Sequence, residues 1–297
     1  MRLGNLAGRA VLLVADGPAD GPADGPADGT VEGAVDIAKA SGGRFGPDPM
    51  DVLAGWDAFA GWVASARLPA GAAFDERDLG APVPRPRQVF AVALNYRPHA
   101  AEAGYTPPEI PLLFTKFPSC ITGPSVTVDL PAGNVDWEIE LVAVLARDAH
   151  RVPAADGWSA VAGLTIGQDL SERRLQLTGT PPQFSLAKSY PGFGPTGPAL
   201  VTVDELPDPD DLELTCTLSG EMVQHARTGE MIFSVPRLVE FVTAVCPVYA
   251  GDLIFTGTPA GVGNRRTPPR FLRPDDVLVS EIEHVGRMRT IFAGFGR

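Results

Sequence analysis

A mostly β fold of the α+β class is predicted for this chain by three features. Glycine and proline are abundant, 33 and 30 among 297 residues, and both interrupt helices and mark turns. Short apolar runs of strand length recur along the chain, whereas clear helical spacing is sparse. Hydrophobic residues make up 44% of the sequence, enough to bury a sizeable core.

From the N-terminus, Arg9 to Val14 reads as a strand. Gly-Pro-Ala-Asp then repeats three times from Gly17 to Asp28. That density of Pro and Gly holds neither a helix nor a central strand, so an exposed loop expansion is expected. A calcium-binding repeat is the weaker reading, because calcium needs about six to eight converging oxygens. Asp51 to Ser65 is predicted as one amphipathic helix, with Val52, Trp56, Phe59 and Val63 three or four residues apart. The Pro-rich stretch Pro82 to Pro86 divides a small N-terminal domain, 1–85, from a main domain, 86–297.

In the main domain, Val89 to Leu94, Leu141 to Ala146, Gly163 to Gln168 and Leu212 to Leu218 are expected strands. So are Asp252 to Thr256, Val277 to Glu283 and Met288 to Phe292. Ser234 to Val245 is the clearest helix, with Leu238, Phe241, Val242 and Val245 on one face and Ser234 as its cap ahead of Pro236.

The net charge of −12 argues against a nucleic-acid partner. A small anionic substrate would then need local positive charge or a metal ion. Cys120, Cys216 and Cys246 are few, odd in number and widely spaced, which fits reduced thiols in a cytoplasmic protein. The N-terminal apolar stretch is too short and interrupted for a signal peptide. No stretch reaches the ~18 apolar residues of a spanning helix, so no membrane partner is expected.

The sharpest local feature is Val135-Asp-Trp-Glu-Ile-Glu-Leu141. On a strand, Glu138 and Glu140 project to one face and Trp137, Ile139 and Leu141 to the other. Two adjacent carboxylates repel unless a cation lies between them, and a hard divalent ion suits such oxygens. A solvent-facing acidic strand edge reads the same way. Asp169, just after a predicted strand, is a third oxygen donor or else the N-cap of a capping box with Glu172. His99 and Glu102, three residues apart on a short helix that Pro98 starts and Gly104 ends, share a face. They form a general-base pair or a surface ion pair. Lys188 lies before Pro- and Gly-rich turns and by default is exposed. Thr256-Gly-Thr-Pro-Ala-Gly-Val-Gly263 lacks the Lys of a P-loop but could cradle a carboxylate on backbone amides. His150, His225 and His284 have no partner at ligand spacing.

The order of these pieces is more specific than any one of them. Asn95-Tyr-Arg-x-His-Ala-Ala-Glu102, Phe114-x-Lys116, Asp136-Trp-Glu-x-Glu140, Asp169-x-Ser-x-Arg-x-x-Gln176, Lys188-Ser and the Thr256–Gly263 string occur in sequence. From about residue 87 to 293 the chain resembles the fumarylacetoacetate hydrolase family. The resemblance implies a mixed β-sheet roll with a few short helices and a small N-terminal domain. It implies a homodimer with Mg²⁺ or Mn²⁺, or alternatively Ca²⁺, on Glu138, Glu140 and Asp169. It further implies a water-activating dyad of His99 and Glu102, a catalytic Lys188, and substrate-binding Arg173, Gln176 and Thr258. The implied reaction is hydrolysis of a carbon–carbon bond in a small 2,4-dioxo acid. Isomerisation, decarboxylation or hydration at the same site, or metal binding without catalysis, are the alternatives. Pro98 and Pro191 stand where the family commonly carries acidic residues.

Overall fold

The computed structural model describes residues 1–14 and 33–294. The Gly-Pro-Ala-Asp repeat, with its loop and calcium readings, lies outside the described residues. The principal strands are β1 (Arg2–Leu6), β2 (Arg9–Val14), β3 (Gly33–Asp36), β4 (Val89–Ala93), β5 (Leu112–Thr115), β6 (Ser125–Leu130) and β7 (Ile139–Leu145). They continue with β8 (Val161–Gln168), β9 (Gly194–Val201), β10 (Glu213–Leu218), β11 (Glu221–Arg227), β12 (Leu253–Phe255), β13 (Val277–Ile282) and β14 (Gly286–Gly294). The helices used below are α1 (Pro49–Ala54), α2 (Trp56–Val63), α3 (Arg97–Glu102), α4 (Arg173–Gln176) and α5 (Val235–Val245). The predicted α+β class, strand-rich with few helices, is what the chain adopts.

The larger sheet runs in the order β3-β2-β1-β9-β8-β7-β12-β4-β5, and the smaller in the order β11-β10-β13-β14-β6. Strands β7 and β8 lie at the centre and are buried along their whole length. That explains why they read as unbroken apolar runs rather than alternating ones. Side chains still alternate between faces. Ile139, Leu141, Ala143 and Leu145 join the core shared with the smaller sheet, alongside Leu214, Leu278 and Phe292. Val142 and Val144 join a second core on the opposite face, with Leu3, Leu12, Val52 and Phe59.

That second core ties the N-terminal segment to the rest. Strand β1 pairs with β9 through Arg2↔Val201 and Leu3↔Leu200. Leu3, Val35 and Phe59 pack in one cluster with Val89, Val142 and Leu253. The Pro82–Pro86 stretch is held in place, with Ala81 and Val83 buried and the Asn5 amide donating to the Ala81 carbonyl at 2.8 Å. Packing and hydrogen bonding therefore cross the position at residue 85.

Two helix expectations need correction. The predicted helix from Asp51 to Ser65 is two helices, α1 and α2, broken at Gly55 with φ −107° and ψ 30°. The Asp48 carboxylate caps α1 by accepting from the Met50 amide at 2.9 Å. Val52, Trp56 and Phe59 are buried as their spacing implies. At α5, Ser234 occupies the cap position but its hydroxyl makes no capping bond, and Val245 is 76% exposed. The buried face is Val235, Leu238, Val239, Val242 and Thr243. Among the described residues no helix is long and apolar enough to cross a membrane. The three cysteines are free.

A shared core predicts shared unfolding. Leu3→Ala removes a fully buried side chain and should cost about 2–5 kcal/mol. In denaturant titration followed by both far-UV circular dichroism and tryptophan fluorescence, the loss should appear in one coincident transition. Two transitions, only the first of them shifted, would mean an independent N-terminal unit.

Candidate active site

The site grows from the junction of the two central strands. Pairing of β7 with β8 sets Ile139 opposite Gln168, and the Asp169 amide donates to the Glu138 carbonyl at 2.9 Å. This brings Asp169 beside Glu138 and Glu140, which share a face because they are two residues apart in extended chain. One oxygen from each of the three lies within 4.8 Å of the others, and all three residues are buried. Trp137, Ile139 and Leu141 take the packed face, each fully buried. The reading of an exposed acidic edge is therefore excluded. So is the capping reading of Asp169: Glu172 is the cap of α4, accepting from the amides of Arg174 and Leu175 at 3.1 and 2.7 Å.

Three buried cations answer these acids. The Lys188 ammonium, 2% exposed, donates to Glu138 Oε2, Asp169 Oδ2 and Ser171 Oγ, each at 2.7 Å. Its default reading as a surface lysine is wrong. Lys116 donates to Asp169 Oδ1 at 2.7 Å, to the Phe193 carbonyl at 3.1 Å and to the Lys188 carbonyl. Arg173 binds Asp136 through Nε and Nη2 at 2.9 and 2.8 Å, Glu138 Oε1 through Nη2 at 2.7 Å and Gln176 Oε1 through Nη1 at 2.8 Å.

The acids differ sharply in surroundings. Burial pushes Glu138 up, but Lys188 and Arg173 outweigh it and hold its carboxyl down at about 2. Burial and the neighbouring charges of Asp169 and Glu138 push Glu140 well above the usual carboxylate range, against a weaker pull from Lys188 and the Gly257 amide. Glu140 makes no direct ion pair among the described residues. Its Oε2 accepts from the Gly257 amide at 2.7 Å. The cluster thus lacks positive charge at Glu140. Its donors are all hard carboxylate oxygens, each with a second lone pair beyond the bonds named, and that is the donor set of a hard divalent cation.

Above this cluster lies α3. His99 Nδ1 meets Glu102 Oε2 at 3.0 Å, with the two side chains 11% and 22% exposed. An ionised carboxylate only accepts, so that contact places the proton on Nδ1 and the free lone pair on Nε2. Glu102 Oε1 accepts from the Gly261 amide at 3.0 Å.

The glycine-rich loop does cradle carboxylates on its amides, but they are the protein's own. Gly257 serves Glu140, Gly261 serves Glu102, and Gly263 and Asn264 serve Asp136 at 2.7 and 2.9 Å. The glycines are needed for close approach. A Cβ on Gly261, at φ +105°, would lie 2.1 Å from the Val223 carbonyl oxygen.

Of the predicted residues, Glu138, Glu140, Asp169 and Lys188 converge, with His99 and Glu102 beside them. Arg173 and Gln176 are buried and bonded to each other. The Thr258 hydroxyl is committed within the protein, donating to the Ile139 carbonyl and accepting from Gln224 Nε2, both at 2.8 Å. Four contributors fell outside the predicted set. Lys116 and Asp136 occur in the motif strings, but their burial has no local signature. Gln224 on β11 reaches the Ile139 amide at 3.1 Å from the other sheet, and nothing in its neighbourhood signals it. Tyr96 is fully buried in the segment leading to α3, and burial followed by the Glu140 charge drives its hydroxyl's ionisation far up.

Lys116 stands behind the cluster, touching Asp169 and the backbone that carries Lys188. Lys116→Met should leave Asp169 with one buried cation fewer and cost about 3–5 kcal/mol of stability. With one positive charge fewer beside Asp169, the cluster should bind a divalent ion more tightly, as measured by calorimetry. Unchanged melting temperature and unchanged affinity would remove Lys116 from the site.

Comparison with known proteins finds relatives that share the sequence and the fold. The human mitochondrial oxaloacetate tautomerase FAHD2A is 41% identical over 208 residues, 69% of this chain and 66% of that protein. The chain thus matches just under two thirds of that relative. A crystal structure from Mycobacterium smegmatis, provisionally named an HpcE protein, is 52% identical over 100% of both chains with a TM-score of 0.91. Maleylpyruvate hydrolase from Sphingobium sp. SYK-6, solved with manganese(II) and pyruvate, shares the fold at TM-score 0.75 and 24% identity over 99% of both chains. The family model for the fumarylacetoacetate hydrolase C-terminal domain matches residues 88–293, and the chain belongs to that family.

Proposed function

We propose that this protein is a divalent-metal-dependent hydrolase that cleaves a carbon–carbon bond in a small 2,4-dioxo acid. One observation carries the reading: three buried carboxylates converge within 4.8 Å, and the loop that holds Glu140 also holds Glu102 of a histidine–glutamate pair. Glu138, Glu140 and Asp169 would hold the ion, Mg²⁺ or Mn²⁺. When bound, the ion supplies Lewis acidity to the dioxo group, a contribution of several kcal/mol. His99 Nε2 holds the lone pair that takes a proton from water. Glu102 fixes the ring and stabilises the imidazolium that results. Gly261 in turn fixes Glu102. Lys188 and Gln176 would stabilise the enolate left when the bond breaks, while Arg173 and Thr258 would set the positions of Glu138, Gln176 and the Gly-rich loop. Lys188 reaches a substrate oxygen only by releasing one of its three present acceptors. The presence of manganese(II) and pyruvate in the Sphingobium hydrolase supports this choice of ion and product.

Keto–enol tautomerisation of a related oxo acid is the second reading, favoured by the name of the human relative. It uses the same ion and needs no water attack. A cytoplasmic homodimer belongs to the proposal. Exposed Leu113 and Phe117, at and just beyond the edge strand β5, support pairing of two copies there.

Chelation with EDTA should abolish turnover of acylpyruvates, and Mn²⁺ or Mg²⁺ should restore it. Glu138→Ala should lose both metal binding and activity. His99→Ala should keep metal affinity and lose hydrolysis by about 10²–10⁴. Product analysis by proton NMR separates the readings: pyruvate plus a carboxylic acid means hydrolysis, and solvent deuterium exchange at C3 without cleavage means tautomerisation. Full activity after chelation would overturn both.

A further inference from the structure

The cations of the site are already occupied. A lysine ammonium has three N–H donors. Lys188 spends its three on Glu138, Asp169 and Ser171, and Lys116 spends its three on Asp169 and two backbone carbonyls. Arg173 is engaged through Nε, Nη1 and Nη2. Beside this cluster, whose two lysines have no donor to spare, stands an aromatic wall. The Phe114 ring faces the Lys188 ammonium at 5.1 Å and meets Phe184 edge-on at 5.7 Å. Phe114, on β5, and Lys116, just beyond its end, are two residues apart and both reach the site, Phe114 at Lys188 and Lys116 at Asp169. Thr115 and Ser185 join the two segments through their hydroxyls at 3.3 Å. Phe114 and Phe184 are only partly buried, and neighbouring Leu186 is 66% exposed.

A charged group laid on this wall would lose water and find aromatic rings instead of a free cation, which is unfavourable. An apolar group would gain by leaving water. We infer that Phe114 and Phe184 are specificity-determining residues, and that the oxo acid carries an apolar distal substituent, aryl or alkyl, rather than a second carboxylate. The inference rests on the proposed reaction at this site and narrows its substrate class.

The test compares kcat/KM of the Mn²⁺-loaded full chain for benzoylpyruvate, acetylpyruvate and fumarylpyruvate. Wild type should favour benzoylpyruvate over fumarylpyruvate by about tenfold or more, the scale at which a pocket discriminates apolar groups. Phe184→Ala should lower the benzoylpyruvate value about tenfold relative to acetylpyruvate. Phe184→Leu should restore most of it, and Phe184→Arg should shift preference toward fumarylpyruvate. Melting temperatures of the three variants check that each is folded. Preference of wild type for fumarylpyruvate, or an equal loss on all three substrates in Phe184→Ala, would overturn the inference and leave the proposed reaction standing. No turnover of any of the three by wild type would overturn both.

Discussion

Burying like charges together is the constraint on which this structure turns. Glu138, Glu140 and Asp169 lie within one pocket, where water cannot screen their repulsion. Lys188 sits between Glu138 and Asp169, Lys116 backs Asp169, and Arg173 backs Glu138. Each cation reaches its acid from a different part of the chain. The loops and short helices that deliver them are thereby fixed relative to β7 and β8. Breaking one pair leaves an uncompensated buried charge, which is far costlier than losing a surface ion pair. The balance is incomplete at Glu140, and that shortfall is what makes the cluster a place for an added cation rather than only a structural ion-pair network.

The glycine-rich loop from Thr256 to Gly263 performs the corresponding task with dipoles. Its amides hold Glu140 in the cluster, Glu102 in the dyad and, at its end, Asp136, which in turn holds Arg173. One segment of backbone thus sets the spacing between the acids and the histidine that stands over them. Asn95 ties this loop to the start of α3, donating to the Thr256 and Phe233 carbonyls at 2.7 and 3.0 Å. Side chains at Gly261 would collide with β11, so the loop's path depends on the smaller sheet as well as the larger.

Much of this was legible in the sequence, and the illegible parts share a cause. Strand alternation alone put Glu138 and Glu140 on one face and Trp137 on the other, because that signal is local. The helical spacing of His99 and Glu102 was local too. Helix ends were misread where propensity competed with context: Gly55 breaks a periodic stretch, and Val245 continues a pattern after the core has ended. Lys188 reads as a surface lysine because its three acceptors come from residues 17 to 50 positions away. Gln224 and Lys116 act across still longer separations, and the join between β1 and β9 spans nearly two hundred residues. Burial of a polar side chain is a property of the fold, and short-range pattern carries no record of it.

The proposed site would serve cleavage and tautomerisation alike, the two activities that the names of its relatives carry. On the proposed chemistry both need an oxo acid whose enol form is favoured, and the acid cluster, once it holds an ion, would meet that need whichever follows. Only hydrolysis needs an oriented water and a base to take its proton. In the proposed reaction that second requirement would fall on His99, whose Nδ1 meets Glu102, and on Glu102, which is held by Gly261. Those residues belong to a short helix capped by no side chain and carrying Pro98 in its first turn. On the proposed reaction, the enolising half of the site would be built into the central strands, and the hydrolytic half would be carried by α3 and the loop that holds Glu102. If both activities draw on this site, a change in how α3 meets the glycine-rich loop would separate them while the buried charges stay as they are.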